Sequence, residues 1–271
     1  MRLTQRKIKS FQHLIWDYYE KNRRILPWRE DTSPYSIVIS EIMLQQTQVS
    51  RILTKYPPFI ASFPDFKALA TASLQDVLKL WQGIGYSRRA MYLQKIAQKV
   101  ISDYNGTLPD NPVILESFPG IGPATAASIT VYAFNKPVPF IETNVRRIYI
   151  HHFFRDKEGI DDKEIMPLVE DTLDVDNPRE WYWALMDYGV ELMKLRENPN
   201  KRSKHYVVQS KFEGSKRQIR GLLLKTLVNS GKNKEELYTV LAKDKERVDT
   251  VLKELVKEGF VKERDGKYVI K

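Results

Sequence analysis

Apolar residues recur every three to four positions through the first three-quarters of the chain, the spacing of one buried helix face after another. Phe11, Leu14, Ile15, Tyr18 and Tyr19, with charges between them, predict a helix over 4–22. Pro27 cannot sit mid-helix, so Trp28 and Arg29 are expected on a turn or loop. Ser33-Pro34 supplies a cap and a first-turn proline for a helix that carries Glu41 to about Tyr56, where Pro57-Pro58 stop or kink it. Further helices are expected over 65–71 and over 73–81, with Ser73 as cap. After a turn at Gly83 and Gly85, a long amphipathic helix runs to about Tyr104 and ends at Asn105-Gly106. A helical turn over 112–117 leads to Gly120 and Gly122, and then to a helix containing Ala126, Ala127, Ile129 and Val131 that ends at Asn135-Lys136-Pro137. The segments 143–154, 161–173 and 178–195 also read as helices, the last with Asn177 as cap. No stretch before residue 210 alternates at strand period, so this part of the chain is expected to be all-α.

The pattern changes after 196. Residues 196–220 are loop-like and basic, a solvated linker or a strap contacting phosphates. Helical patterns follow over 216–229, 233–242 and 244–258. Asp265-Gly266 between Phe260-Val261 and Tyr268-Val269-Ile270 then signals a hairpin. Three short helices and a terminal hairpin predict a winged-helix-like α+β unit. Such a unit docks in a DNA groove or serves as a protein contact, and Asp249, Glu254 and Glu258 on the would-be reading helix weigh against DNA.

Composition narrows the function. A net charge of +10 favours a polyanionic partner. Without cysteine there is no disulfide, no thiolate metal site, no cysteine nucleophile and no cysteine-ligated iron–sulfur cluster. The histidines, His13, His151, His152 and His205, lack metal-ligand spacing. The N-terminus has no signal-peptide core and no apolar run approaches a membrane span, so a soluble protein with no membrane partner is expected.

Chemistry concentrates in residues 40–48, SEIMLQQTQ, where Glu41 is the one charge above an amide-rich face. It reads either as a surface acid near a helix start or as a buried proton donor beside a group rich in hydrogen-bonding atoms, such as a nucleobase. In LESFPGIGPATAASI, two glycines turn the chain between apolar helices and leave backbone N–H groups for a phosphate oxygen.

LPWR, SEIMLQQTQV, LWQGIGYSRRA, FPGIGPATAASI, FIETNVRRI and WALMDYG, in this order, resemble the helix–hairpin–helix DNA glycosylase superfamily, and within it the adenine DNA glycosylase branch, MutY. The resemblance implies a core over 1–212. In it, a six-helix barrel from about 24–134 faces a second helical domain made of 1–23 and 135–212, with the active site in the cleft. Residues 213–271 form the winged-helix-like unit. The resemblance further implies that Glu41 protonates the departing base and that Glu142, with Asn144 beside it, stabilises the sugar cation. Trp28, Arg29, Leu44 and Asp187 line the base pocket, though Trp28 and Leu44 also read as plain core and Arg29 with Asp187 as a structural ion pair. Gln46 wedges into the duplex, and Ser87, Arg88, Gly120, Gly122, Thr125 and Arg217 contact DNA. A monovalent cation on the hairpin's backbone carbonyls is implied, with no other cofactor. The expected partner is double-stranded DNA with a mismatch or lesion, bound by a monomer that is cytoplasmic and nucleoid-associated in a prokaryote.

Four departures from that family bear on function. The positions of its four cluster cysteines correspond approximately to Met193, Asn200, Ser203 and Gln209. Glu142 replaces an aspartate, and a carboxylate moved by one methylene can cost large factors in rate. GYSRR replaces GYYSR, so Ser87 stands where the family has a tyrosine. The family's 8-oxoguanine-reading domain is expected to be missing, with the winged-helix-like unit in its place. Ala124 stands where bifunctional relatives carry a Schiff-base lysine, so hydrolysis without strand cleavage is expected. The leading expectation is release of adenine mispaired with 8-oxoguanine or guanine. The alternatives are a relative acting on hypoxanthine, uracil or thymine, and a lesion-binding protein without activity.

Overall fold

The computed structural model describes residues 2–194 and 197–271. Leu195, expected at the end of a helix, and Arg196 of the basic stretch lie outside them. Backbone contacts divide the chain into two compact units, Met1–Glu41 with Pro109–Ser117 and Ile121–Val208, and Ile42–Leu108 with Phe118–Gly120 and Gln209–Lys271.

The chain opens with α1 (Gln5–Asn22), capped by the Thr4 side chain, and a single turn, α2 (Pro27–Glu30). Trp28 and Arg29 therefore stand on a helical turn and not on a loop. Proline costs nothing at the first helical position, where its missing N–H would be unpaired in any case. Next come α3 (Pro34–Leu44) and α4 (Val49–Ser62). The single helix expected from Ser33 to Tyr56 is thus broken at 45–48, and Pro57 and Pro58 lie inside α4 instead of ending it. The break has a tertiary cause. Arg89 donates to the carbonyls of Ile42 (2.9 Å), Met43 (3.1 Å) and Gln45, which satisfies the end of α3. The prolines are tolerated because α4 buries Ile52, Tyr56 and Phe59. At about 1.5–3 kcal/mol per buried side chain, that burial is of the same order as the roughly 3 kcal/mol that each of the two interior prolines costs.

The second unit continues with α5 (Phe66–Thr71), α6 (Leu74–Trp81), whose cap Ser73 accepts from Asp76 N, and α7 (Arg88–Tyr104), closed by Asn105 in the left-handed region. Then follow α8 (Pro112–Glu116) and α9 (Pro123–Phe134), separated by the glycine hairpin, and α10 (Thr143–Phe153), α11 (Asp162–Thr172) and α12 (Pro178–Glu191). Asn177 precedes α12 without a side-chain capping bond. Asp174 Oδ1 accepts from its N–H and from that of Asp176 instead. In the first unit α1, α10 and α12 pack around Phe11, Ile15, Tyr149, Trp181 and Tyr182, all buried.

The C-terminal segment groups with the second unit. It forms α13 (Lys216–Asn229), α14 (Lys234–Leu241), α15 (Lys245–Lys257) and the antiparallel hairpin β1 (Val261–Arg264) and β2 (Lys267–Ile270). Asp265 and Gly266 turn the hairpin with positive φ, as a two-residue turn requires. An isolated bridge from Lys232 to Tyr268 widens the wing. Leu223, Leu227, Leu252, Leu255 and Phe260 form its core, and α13 lies on α6. The protein is mostly helical with a small C-terminal sheet. None of its described helices is long and apolar enough to cross a membrane.

Candidate active site

Two carboxylates from distant parts of the chain act on one another within the first unit. Glu41 lies two turns into α3, on a helix whose neighbouring side chains Ile37, Val38 and Ile42 are buried. Burial pushes its carboxyl up to about 7, and the negative charge of Glu142 pushes in the same direction. Ser128 of α9 opposes them, donating its hydroxyl to Glu41 Oε2 at 2.5 Å and favouring the ionised form. Glu41 is therefore poised to hold or release a proton near neutral pH.

Glu142 caps α10 with its own side chain. Its Oε1 accepts from the backbone N–H groups of Asn144 (2.5 Å) and Val145 (3.0 Å). Burial raises its pKa, while these two N–H groups and the charges of Arg147 and Arg146 lower it. Oε1 is thus committed to the cap, and Oε2 takes no part in it. Tyr132, buried on α9, feels the charges of both Glu41 and Glu142, and burial holds its hydroxyl well above the usual phenol range. Its ring stacks on Trp183 (6.2 Å, 17°), and the Arg29 guanidinium lies 5.4 Å from the Trp183 ring.

Arg29 in turn grips Asp187 in a fork, Nη1 to Oδ2 and Nη2 to Oδ1, both 2.8 Å. Arg24 adds its backbone N–H to Oδ2 (3.0 Å) and its Nε to Oδ1 (2.5 Å). A carboxylate offers about four lone-pair directions, and Asp187 uses them on these bonds. Asp187, expected to line the base pocket, thus anchors the 24–29 segment. Trp28 is buried.

Asn144 is held in place from below. Arg147 donates to Asn144 Oδ1 (2.6 Å) and to Gly189 O (2.8 Å), and Asn198 Oδ1 accepts from Arg147 Nε at 3.4 Å. Gly189 lets α12 approach: a Cβ there would lie 2.6 Å from Asn144 Cβ. Asn200, at a position where the resembled family has a cluster cysteine, donates to Thr143 O (3.0 Å), and both Asn200 and Ser203 are buried. Met193 is exposed, as is Gln209, which donates to Tyr86 Oη.

Among the expected DNA contacts, Gly122 caps α9 and is exposed, with Thr125 half-buried one turn on. The others belong to the second unit, as does Leu44, half-buried at the end of α3. Gln46 is exposed on left-handed backbone. Gly120 has φ +79°, and a Cβ there would meet the Tyr92 ring at 2.4 Å. Arg88 and Ser87 face protein groups: Arg88 forks onto Glu258 (2.9 and 2.5 Å) and Ser87 Oγ accepts from Arg220 Nε (3.2 Å). Arg217 donates to Tyr86 Oη (3.0 Å) and Ser210 O (2.7 Å). Two hairpin carbonyls already accept, Gly122 O from Ala126 N and Gly120 O from the Gln45 amide. A cation there would share oxygens in use.

Sequence reasoning missed Ser128, Tyr132, Arg24, Arg147 and Arg89. A polar residue inside the apolar run of α9 was a signal for Ser128. Arg24 carried none, because Asp187 lies 163 positions away, and most of the partners of Arg89 and Arg147 also lie far off in sequence.

Residues 39–173 match the HhH-GPD superfamily of base excision DNA repair proteins. The adenine DNA glycosylase of Mycobacterium tuberculosis (strain ATCC 25618 / H37Rv) is 31% identical over 98% of this chain and 94% of its own length. The chain belongs to this superfamily. It is a DNA N-glycosylase of base excision repair. The adenine DNA glycosylase of Buchnera aphidicola subsp. Acyrthosiphon pisum is 35% identical over 67% of the chain, which spans about half (53%) of that relative. A thermostable thymine-DNA glycosylase superposes with a TM-score of 0.63 at 26% identity, over 73% of this glycosylase and 92% of that chain. An endonuclease III–DNA complex shares the fold (TM-score 0.55, 18% identity, 70% and 86% of the two chains).

Proposed function

We propose that this glycosylase hydrolyses the N-glycosidic bond of adenine mispaired with 8-oxoguanine or guanine. The observation that carries the reading is the coupled pair, Glu41 held near neutrality by burial and by Glu142, and Glu142 with one oxygen spent on its cap. The target nucleotide leaves the stack. Glu41 passes its proton to a ring nitrogen of the base as the bond from C1′ to that base breaks. Glu142 Oε2 stabilises the oxocarbenium-like sugar, in the two-carboxylate logic of glycoside hydrolysis. Water adds to C1′, its proton passes to a carboxylate, and an abasic site remains. Asn144 orients the sugar side of the site. Ala124 offers no amine for a Schiff base. A relative named adenine DNA glycosylase that matches 98% of the chain, C-terminal segment included, supports the choice of base.

A second reading is removal of thymine or another mismatched or deaminated base. Its support is the likeness to a thymine-DNA glycosylase and the serine at position 87. Duplexes carrying A opposite 8-oxoguanine, A opposite G, hypoxanthine opposite T, and U or T opposite G separate the two when protein is added and abasic sites are cleaved with hot alkali. Adenine release that falls by about 10²–10⁴-fold in Glu41→Gln is the expected result. Release of thymine, uracil or hypoxanthine alone would establish the second reading. Borohydride is expected to trap no covalent complex.

A further inference from the structure

Read from sequence, Asp249, Glu254 and Glu258 weigh against DNA as a partner of the winged-helix-like unit. In the folded chain all three are engaged by protein. Tyr238 Oη donates to Asp249 Oδ1 (2.7 Å), and Lys234 Nζ lies 3.7 Å from the same oxygen. Lys216 pairs with Glu254 (2.9 Å), and Glu258 takes the forks of Arg88 and Arg220. Helical spacing explains this. Val248, Val251, Leu252 and Leu255 turn one face of α15 into the core. Asp249 flanks that face on the side of α14, and Glu254 and Glu258 flank it on the side of α13.

The face opposite the core is left to solvent. Glu246, Thr250, Lys253 and Lys257 follow one another at helical spacing along it, and all four are exposed. Lys253 and Lys257 enter no ion pair among the described residues. The one acid of the stripe, Glu246, stands in the first turn, where the helix dipole favours it. The hairpin follows α15 directly. There Lys262, Arg264 and Lys267 are exposed on the face opposite buried Val261 and Ile270. Nor does the unit hang on a tether. Gln75 Nε2 donates to Val228 O (2.7 Å) and Arg220 Nε to Ser87 Oγ (3.2 Å), and Arg88 grips Glu258, which together fix α13 and α15 on α6 and α7. A surface held in this way adds contacts to a ligand without the entropy cost of ordering a flexible segment.

We infer that the exposed stripe of α15, with the basic wing that follows it, is a second duplex-binding surface that grips phosphates beyond those at the reacting nucleotide. Duplex DNA is the occupant because the stripe is cationic, the chain carries a net charge of +10 and its superfamily acts on DNA. Lysine is a point charge without the planar fork of arginine, so this grip is independent of base sequence. It rests on DNA as the substrate and not on which base is released.

The test titrates the full chain into fluorescently labelled duplexes, with and without a target mispair, over a series of salt concentrations, and reads anisotropy. Each phosphate contact adds about 0.9 to the slope of log affinity against log salt. Lys253→Ala/Lys257→Ala is expected to lower that slope by about two and to weaken binding about tenfold at low salt, equally for both duplexes. Glu246→Lys adds a cation to the stripe and is expected to raise the slope by about one and tighten binding. Lys67→Ala/Lys225→Ala makes the same charge change at exposed positions on α5 and α13 and is expected to have less than about half the effect. An unchanged slope in both α15 variants overturns the proposal and leaves this face to a protein partner. Equal effects of the two lysine pairs overturn it as well, since net charge would then account for them. So does a loss confined to the mispaired duplex. Failure of the parent protein to bind any duplex would instead refute DNA as the substrate.

Discussion

Glu41 shows how one side chain is tuned by burial and by two neighbours of opposing effect. Burial and the charge of Glu142 raise its pKa, and the Ser128 hydroxyl, which bonds the ionised carboxylate, lowers it. In the proposed role Glu41 acts while protonated, so the rate of base release is expected to fall as pH rises through about 7. Ser128→Ala removes the one influence favouring the ion. The basic limb of the single-turnover pH profile is then expected to move to higher pH by about one unit. A limb that stays put or moves down would mean that Ser128 is not what balances Glu41. The sequence disclosed Glu41 and Glu142 because each stands in a distinctive local string. It did not disclose that Asp187 is saturated by Arg24 and Arg29, since that depends on two chain segments about 160 residues apart.

At the scale of elements, the helix carrying Glu41 ends where it does because a side chain on α7 takes its last carbonyls, and no local signal at 44–48 foretold that. The caps at Thr4, Ser73 and Asn111, by contrast, are local devices whose residue types announce them. The approach of α12 to the first turn of α10 falls between these cases. Gly189 is conspicuous within WALMDYG, but its reason, the 2.6 Å approach to Asn144 Cβ, exists only in the folded chain. Gly189→Ala is expected to push Asn144 and the capped turn of Glu142 away from their places. The cost is about 1–3 kcal/mol of stability, with slower base release at saturating protein. Chemical denaturation and single-turnover kinetics check the two effects, and a stable variant with parental rate would show that the helices can separate without disturbing the site.

Across the whole molecule, the winged-helix-like unit was legible as helices and a hairpin, but not as part of the same unit as 42–108. That grouping depends on α13 against α6 and on the ion pair between Arg88 and Glu258, 170 positions apart. Glu258 receives two forks, from Arg88 at the start of α7 and from Arg220 on α13. The Arg88 hydrogen bonds, then those of Arg220, hold its carboxyl down at about 2, against the opposing effect of burial. A carboxyl depressed in the folded state contributes stability above its ordinary pKa of 4.5, and the contribution is lost as pH falls toward 2. Arg88 is more than half exposed, so the cluster is screened and is expected to contribute about 1–2 kcal/mol. Glu258→Gln keeps the shape and removes the charge. Denaturant melts of parent and variant are expected to differ by that amount at pH 7, and by less than half of it at pH 3, with added salt narrowing the gap at neutral pH. A difference independent of pH would mean that packing around Phe260 and Leu227, and not the double fork, joins the C-terminal helices to α6 and α7.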